Sequence, residues 1–215
     1  MTTLDLLEVN QLGKQIGAKR ILTDVSFRAE TGDLLVLTGP NGVGKTTLLR
    51  ILAGLSTASA GEILWNGLGY DLNHGQIGYV SHKPMLYETL SVQENLVFFA
   101  QMYGRGSTER VRELLSIVGL WLHRYEPVAI LSRGMQQRLA LARTLIAEAK
   151  LILYDEPFTG LDQEGQALLR AILTEQRTRS IQIVIAHELE LLDGLSYEQI
   201  RLQEGRLLQG GLRDA

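Results

Sequence analysis

Two groups of residues have types and spacing that would serve phosphate chemistry. The first is Gly39-Pro40-Asn41-Gly42-Val43-Gly44-Lys45-Thr46, which satisfies G-x-x-x-x-G-K-[ST] in full. Its glycines let successive backbone N–H groups point into one concavity, and the helix that follows adds partial positive charge there. Lys45 can then reach the β- and γ-phosphates of a nucleotide, and the Thr46 hydroxyl is placed to ligate Mg²⁺. Thr47, next in the helix, completes the nucleotide-binding set. The second group is Asp155-Glu156, two carboxylates that end the apolar run Leu151-Ile152-Leu153-Tyr154. Asp155 suits the Mg²⁺ position, directly or through water. Glu156 is the candidate general base for water attacking the γ-phosphate. Acidic residues are common at solvated strand ends, and beside the phosphate loop the catalytic reading is preferred to that one.

The elements that must position these groups are readable around them. Leu34-Leu35-Val36-Leu37 is a short apolar run of the kind buried on both faces of a parallel sheet, and it leads straight into Gly39. A helix is predicted from Lys45 to Ala53, closed by Gly54. Before it, Leu4–Asn10 and Ile21–Arg28 have strand spacing, followed by a turn at Thr31-Gly32-Asp33. Ser91-Val92-Gln93-Glu94 is a capping box that opens a helix ending near Gly104. A second helix spans Glu109–Val118, and Ser132 can cap a third through Leu145. Residues of about 82–149 are therefore mainly helical. Buried strands return at Leu151–Tyr154 and Ile181–Ala186, separated by a helix over about Gln163–Arg177. Gln199–Leu208 reads as a hairpin turning at Glu204-Gly205. The order is that of an α/β core into which a helical block is inserted.

Composition narrows the classes. The 215 residues allow one domain with a substantial core. Hydrophobic residues make up 45% and charged residues 21%, with a net charge of −3, so a nucleic-acid partner has no electrostatic support. With no cysteine present, disulfides, iron–sulfur clusters and thiolate zinc sites are excluded. Met1–Asn10 lacks the order of a signal peptide, and no apolar run approaches the ~20 residues that span a bilayer. Any membrane role is expected to run through a partner.

With Leu131-Ser132-Arg133-Gly134-Met135-Gln136-Gln137-Arg138, Pro157–Asp162 and Ile185-Ala186-His187 added, the chain resembles the ABC ATPase family over about Leu7–Leu208. These segments correspond to its signature, D-loop and switch histidine, in family order. The resemblance implies a P-loop NTPase (RecA-like) core with an antiparallel β subdomain and an inserted helical subdomain over about 82–149, all in one nucleotide-binding domain, 1–215. It implies ATP and Mg²⁺ as cofactors, and a cytoplasmic subunit bound to the inner face of the cell membrane through polytopic membrane subunits. A second ATPase subunit, expected to be another copy of this chain, would stack head to tail. Ser132 and Gly134 of one subunit would then face the γ-phosphate held by the other. His187 would hydrogen-bond that phosphate and hold the attacking water.

Four positions depart from the family pattern: in the signature Arg133 and Met135 replace the middle glycine and final glutamine, leaving Ser132 and Gly134 intact, and the other two lie elsewhere. Gly78-Tyr79-Val80-Ser81-His82 puts His82 where the Q-loop glutamine helps ligate Mg²⁺, and Ile16 stands where an aromatic stacks on adenine. Ile16 offers apolar contact only, so weaker selectivity among nucleoside triphosphates is expected. His82 and Ser-Arg-Gly-Met together look like the ATPase of the haem exporter of cytochrome c biogenesis. Drug and sodium exporters of the ABC-2 type share the last feature. Met85, Leu86 and Tyr87, with Val97-Phe98-Phe99, are candidate anchors for a membrane subunit, although internal packing is the plainer role for at least one phenylalanine. A non-transport ABC ATPase and a P-loop kinase are the rival readings.

Overall fold

The computed structural model describes residues 4–70, 77–81, 83–105 and 107–213; His82 lies outside them. In chain order the first elements are β1 (Leu6–Ile16), β2 (Lys19–Glu30), β3 (Leu34–Thr38), α1 (Lys45–Leu52), β4 (Ala60–Trp65), β5 (Leu68–Gly69) and β6 (Ile77–Val80). Three helices follow, α2 (Val92–Met102), α3 (Thr108–Ile117) and α4 (Arg133–Ile146). The chain continues through β7 (Leu151–Asp155), α5 (Gln163–Gln176), β8 (Ile181–Ile185), β9 (Tyr197–Gln203) and β10 (Arg206–Arg213).

Two sheets result. One is antiparallel, in the order β2-β1-β4-β5; the other runs β10-β9-β3-β8-β7-β6. In the second sheet β9, β3, β8, β7 and β6 are mutually parallel, and β10 pairs antiparallel on the edge. Every residue of β7 and β8 is buried, as two-sided covering of a parallel sheet requires. Alternate residues serve the two faces. Leu34, Val36, Ile152, Tyr154 and Val184 pack with α5 and the helical block. Leu35, Leu37, Leu151, Leu153 and Ile183 pack with Leu48, Leu49 and Leu52 of α1 and with β1 and β2.

The helices begin where short polar side chains can take up free N–H groups. Ser91 accepts from Glu94 N at 3.2 Å while the Glu94 carboxylate accepts from Ser91 N at 2.8 Å. Ser132 caps α4 through Met135 N at 3.2 Å, and Asp162 caps α5 through Gly165 N at 2.9 Å. The strands β4, β5 and β6 have no counterpart among the sequence expectations, because their residues show neither alternation nor a long apolar run. β6 lies against α4 closely: a Cβ added at Gly78 would sit 2.5 Å from Thr144 Cγ2. Among the described residues no helix is long and apolar enough to cross a membrane.

Candidate nucleotide site

The loop between β3 and α1 is shaped by close approaches that only glycine allows. Gly39 has φ 140°, and a Cβ there would lie 2.2 Å from the Leu202 carbonyl oxygen of β9. At Gly44, φ 115°, a Cβ would lie 2.9 Å from Leu22 Cδ2 and 3.1 Å from the Ile21 carbonyl oxygen. The loop is thus wedged between the C-terminal hairpin and β2. Asn41 and Gly42 are exposed, and Val43 packs partly against the core beneath.

Lys45 is only 6% exposed, and its Nζ donates to the carbonyls of Gly39 at 2.7 Å and Pro40 at 3.0 Å. Burial lowers its pKa, while the charges of Glu156 and Asp155 oppose that shift. Thr46 Oγ1 donates to Asp155 Oδ1 at 3.0 Å, and Tyr79 Oη donates to Asp155 Oδ2 at 3.1 Å. A hydroxyl and a carboxylate in mutual contact are hard oxygen donors of the kind Mg²⁺ takes in pairs, leaving other positions to water and phosphate. No group of three or more ligating His, Cys, Asp or Glu residues gathers among the described residues. The donor set fits Mg²⁺ brought with a nucleotide.

Glu156 follows directly, in the left-handed region at φ 55°, a conformation uncommon for a side chain of its size. Its Oε1 lies 2.9 Å from His187 Nε2. This pair forms a wall shared by two clefts. The first, about 530 Å³, is lined by Ile21, Asn41, Gly42, Gly44, Lys45, Thr46 and Thr47 together with the pair. The second, about 320 Å³, runs along Phe158–Leu161 and Ile185–Glu188.

Other expected residues stand elsewhere. Ser132 is exposed at the start of α4, and Gly134 lies beside the 159–161 segment, with a built Cβ 3.1 Å from the Gly160 carbonyl oxygen. Neither lines the phosphate cleft of its own chain. Ile16 is 60% exposed near the β1–β2 turn and is not a lining residue, whereas Ile21 is. Ile21 and Tyr79 were missed by sequence reasoning. Ile21 carries no signal of its own, and Tyr79 needed the knowledge that β6 pairs with β7.

A third concavity, about 570 Å³, lies on the helical side and is lined by Leu55, Tyr79, Met85, Leu86, Tyr87, Phe99 and Arg143 among others. Phe99 is 9% exposed and belongs to the core, while Phe98 is 40% exposed and meets Tyr87 edge-on at 4.9 Å. Arg143, 7% exposed, donates to the carbonyls of Tyr79 at 2.7 Å and Met85 at 2.5 Å.

The sequence profile of the ABC transporter family matches residues 22–159. The chain is 38% identical over 220 residues to the sulfate/thiosulfate import ATP-binding protein CysA of Bordetella bronchiseptica, covering 95% of this chain and 61% of that protein. It is 34% identical over 210 residues to the cytochrome c biogenesis ATP-binding export protein CcmA of Histophilus somni, covering 95% of this chain and 96% of that one. The chain thus spans about three fifths of the length of CysA. A solved structure of an ATP-binding subunit of an ABC transporter superposes with a TM-score of 0.87 at 30% identity, over 96% of this chain and 90% of that chain.

Proposed function

The chain belongs to the ABC transporter family, and from that premise we propose that it binds and hydrolyses ATP as the motor subunit of a transporter. The observation that carries this reading is the convergence on one cleft of Lys45, the Thr46–Asp155 pair and the Glu156–His187 pair. Backbone N–H groups of residues 41–44 and the Lys45 ammonium bind the β- and γ-phosphates. Thr46 and Asp155 would hold Mg²⁺, which would supply neutralisation of phosphate charge. Glu156 takes the proton of the attacking water, and His187 orients that carboxylate and hydrogen-bonds the γ-phosphate. A second copy of the chain supplies Ser132 and Gly134 to the same phosphate, so two composite sites close when two copies pair.

In this reading the partner is a polytopic membrane protein whose cytoplasmic face seats on Met85, Leu86 and Tyr87. Closing and reopening of the ATPase pair is passed to it through the helical block. The cargo assigned is haem, exported for cytochrome c biogenesis, supported by the match to CcmA over nearly all of both chains and by Ser132-Arg133-Gly134-Met135. Sulfate or thiosulfate import is the second reading, favoured by the 38% identity to CysA. Affinity purification from detergent-solubilised host membranes separates them by the membrane protein recovered.

The chemistry is tested by Glu156→Gln. It should retain ATP affinity, lose turnover by at least roughly 100-fold, and accumulate as an ATP-bound dimer in size-exclusion chromatography. Hydrolysis at the wild-type rate would remove Glu156 from the mechanism. Lys45→Ala should instead lose nucleotide binding in a direct titration.

A further inference from the structure

We propose that Tyr79 is a positioning residue for the metal-site carboxylate, its hydroxyl fixing the rotation of Asp155 so that Oδ1 stays beside Thr46 and faces Mg²⁺. The inference rests on the ATP-and-Mg²⁺ reading of the cleft.

The terminal torsion of an aspartate is broad and roughly two-fold, so a carboxylate held by one donor can swing. Asp155 is held at both oxygens, Oδ1 by the Thr46 hydroxyl at 3.0 Å and Oδ2 by the Tyr79 hydroxyl at 3.1 Å. Two donors on opposite oxygens fix the plane. Asp155 is 4% exposed, so water is poorly placed to replace a lost donor there. Groups that orient a ligating carboxylate in this way tune metal affinity without touching the metal.

Tyr79 is itself held firmly. Its strand pairs in parallel with β7, with Tyr79 opposite Leu153, and its ring packs against the apolar cluster on the α1 side. Its carbonyl oxygen accepts from Arg143 Nη2, and the other terminal nitrogen of that guanidinium donates to Met85 O. A phenol is protonated at neutral pH, so the hydroxyl serves as a donor to Asp155. Tyr79 and Met85 also line the groove on the helical side, so one residue borders that groove and, through Asp155, the metal position.

Tyr79→Phe keeps the ring and removes only the donor. The test uses the full chain and a fluorescent ATP analogue, titrated in EDTA and at increasing Mg²⁺, with Mn²⁺ binding followed by electron paramagnetic resonance. The Mg²⁺ concentration at half-saturation should rise roughly ten-fold, the Mn²⁺ signal should weaken in parallel, and affinity in EDTA should stay within about two-fold of wild type. A tyrosine that merely fills the core would leave the metal dependence unmoved. Unchanged half-saturation, or equal loss of nucleotide affinity with and without Mg²⁺, overturns the proposal and leaves the nucleotide site intact. Wild-type binding that ignores Mg²⁺ overturns both.

Discussion

Asp162 shows how one side chain can join two tasks and how pH can separate them. It caps α5 by accepting from Gly165 N and receives the Arg138 guanidinium at 2.8 Å. Its pKa is lowered below the ordinary 3.8, by the Gly165 N–H first and by Arg138 next. Because the folded value is the lower one, the stabilisation is complete above pH of about 3.9 and fades as pH falls through the folded value. Asn caps nearly as well as Asp but carries no charge, so Asp162→Asn should leave the melting temperature near neutrality little changed. Below about pH 4 its melting temperature should fall less steeply than that of the wild type, and parallel curves in scanning calorimetry would contradict this. The sequence gives Asp162 its place after the acidic strand by resemblance, but not its capping bond, which depends on where α5 begins. The gathering of Lys45, Thr46, Asp155 and Glu156 at one cleft was legible because the phosphate-loop pattern and the acidic strand end are local signals. Ile21 and Tyr79 were not, because their neighbours come from distant parts of the chain.

At the scale of elements, legibility followed local signals. The helices could be placed because Ser91 and Ser132 cap them and Gly54, Gly104 and Gly119 follow their ends with φ of 71°, 67° and 70°. The strand β6 could not, since four residues around Gly78 contain no pattern and their burial comes from β7 and α4, many residues later. Gly78 is the point where that late contact constrains the early segment. A methyl group at 2.5 Å from Thr144 Cγ2 and 3.4 Å from Ala149 Cβ must push β6 off α4, so Gly78→Ala should destabilise by about 1–3 kcal/mol in a denaturant melt. Gly69 in β5 has open space around a built Cβ. The same substitution there should cost no more than about 0.5 kcal/mol. Equal effects at the two positions would show that chain entropy, rather than the contact with α4, governs both.

For the whole molecule the question is which copy completes which site. Within one chain, Arg133 and Gly134 abut Gly160, and residues 132–134 stand outside the cleft that holds Lys45, although the family resemblance assigns both to one phosphate. Pairing of two copies reconciles these facts, and mixing defective chains tests it. Lys45→Ala disables a phosphate loop but keeps its signature segment. In that arrangement Gly134→Asp would place a carboxylate by the neighbour's phosphate; an acid in the first turn of α4 suits the helix dipole, and a thermal melt checks that the fold accommodates its Cβ beside the Gly160 carbonyl oxygen. Each variant alone should be inactive, since every site in its homodimer has a defective half. In a mixed dimer one site pairs the intact loop of the Gly134→Asp chain with the intact signature of the Lys45→Ala chain. Random assortment makes half the dimers mixed with one sound site each, so an equimolar mixture should regain at most about a quarter of wild-type turnover. If each active site were built within a single chain, no mixing ratio would raise the rate above the sum of the two variants measured separately.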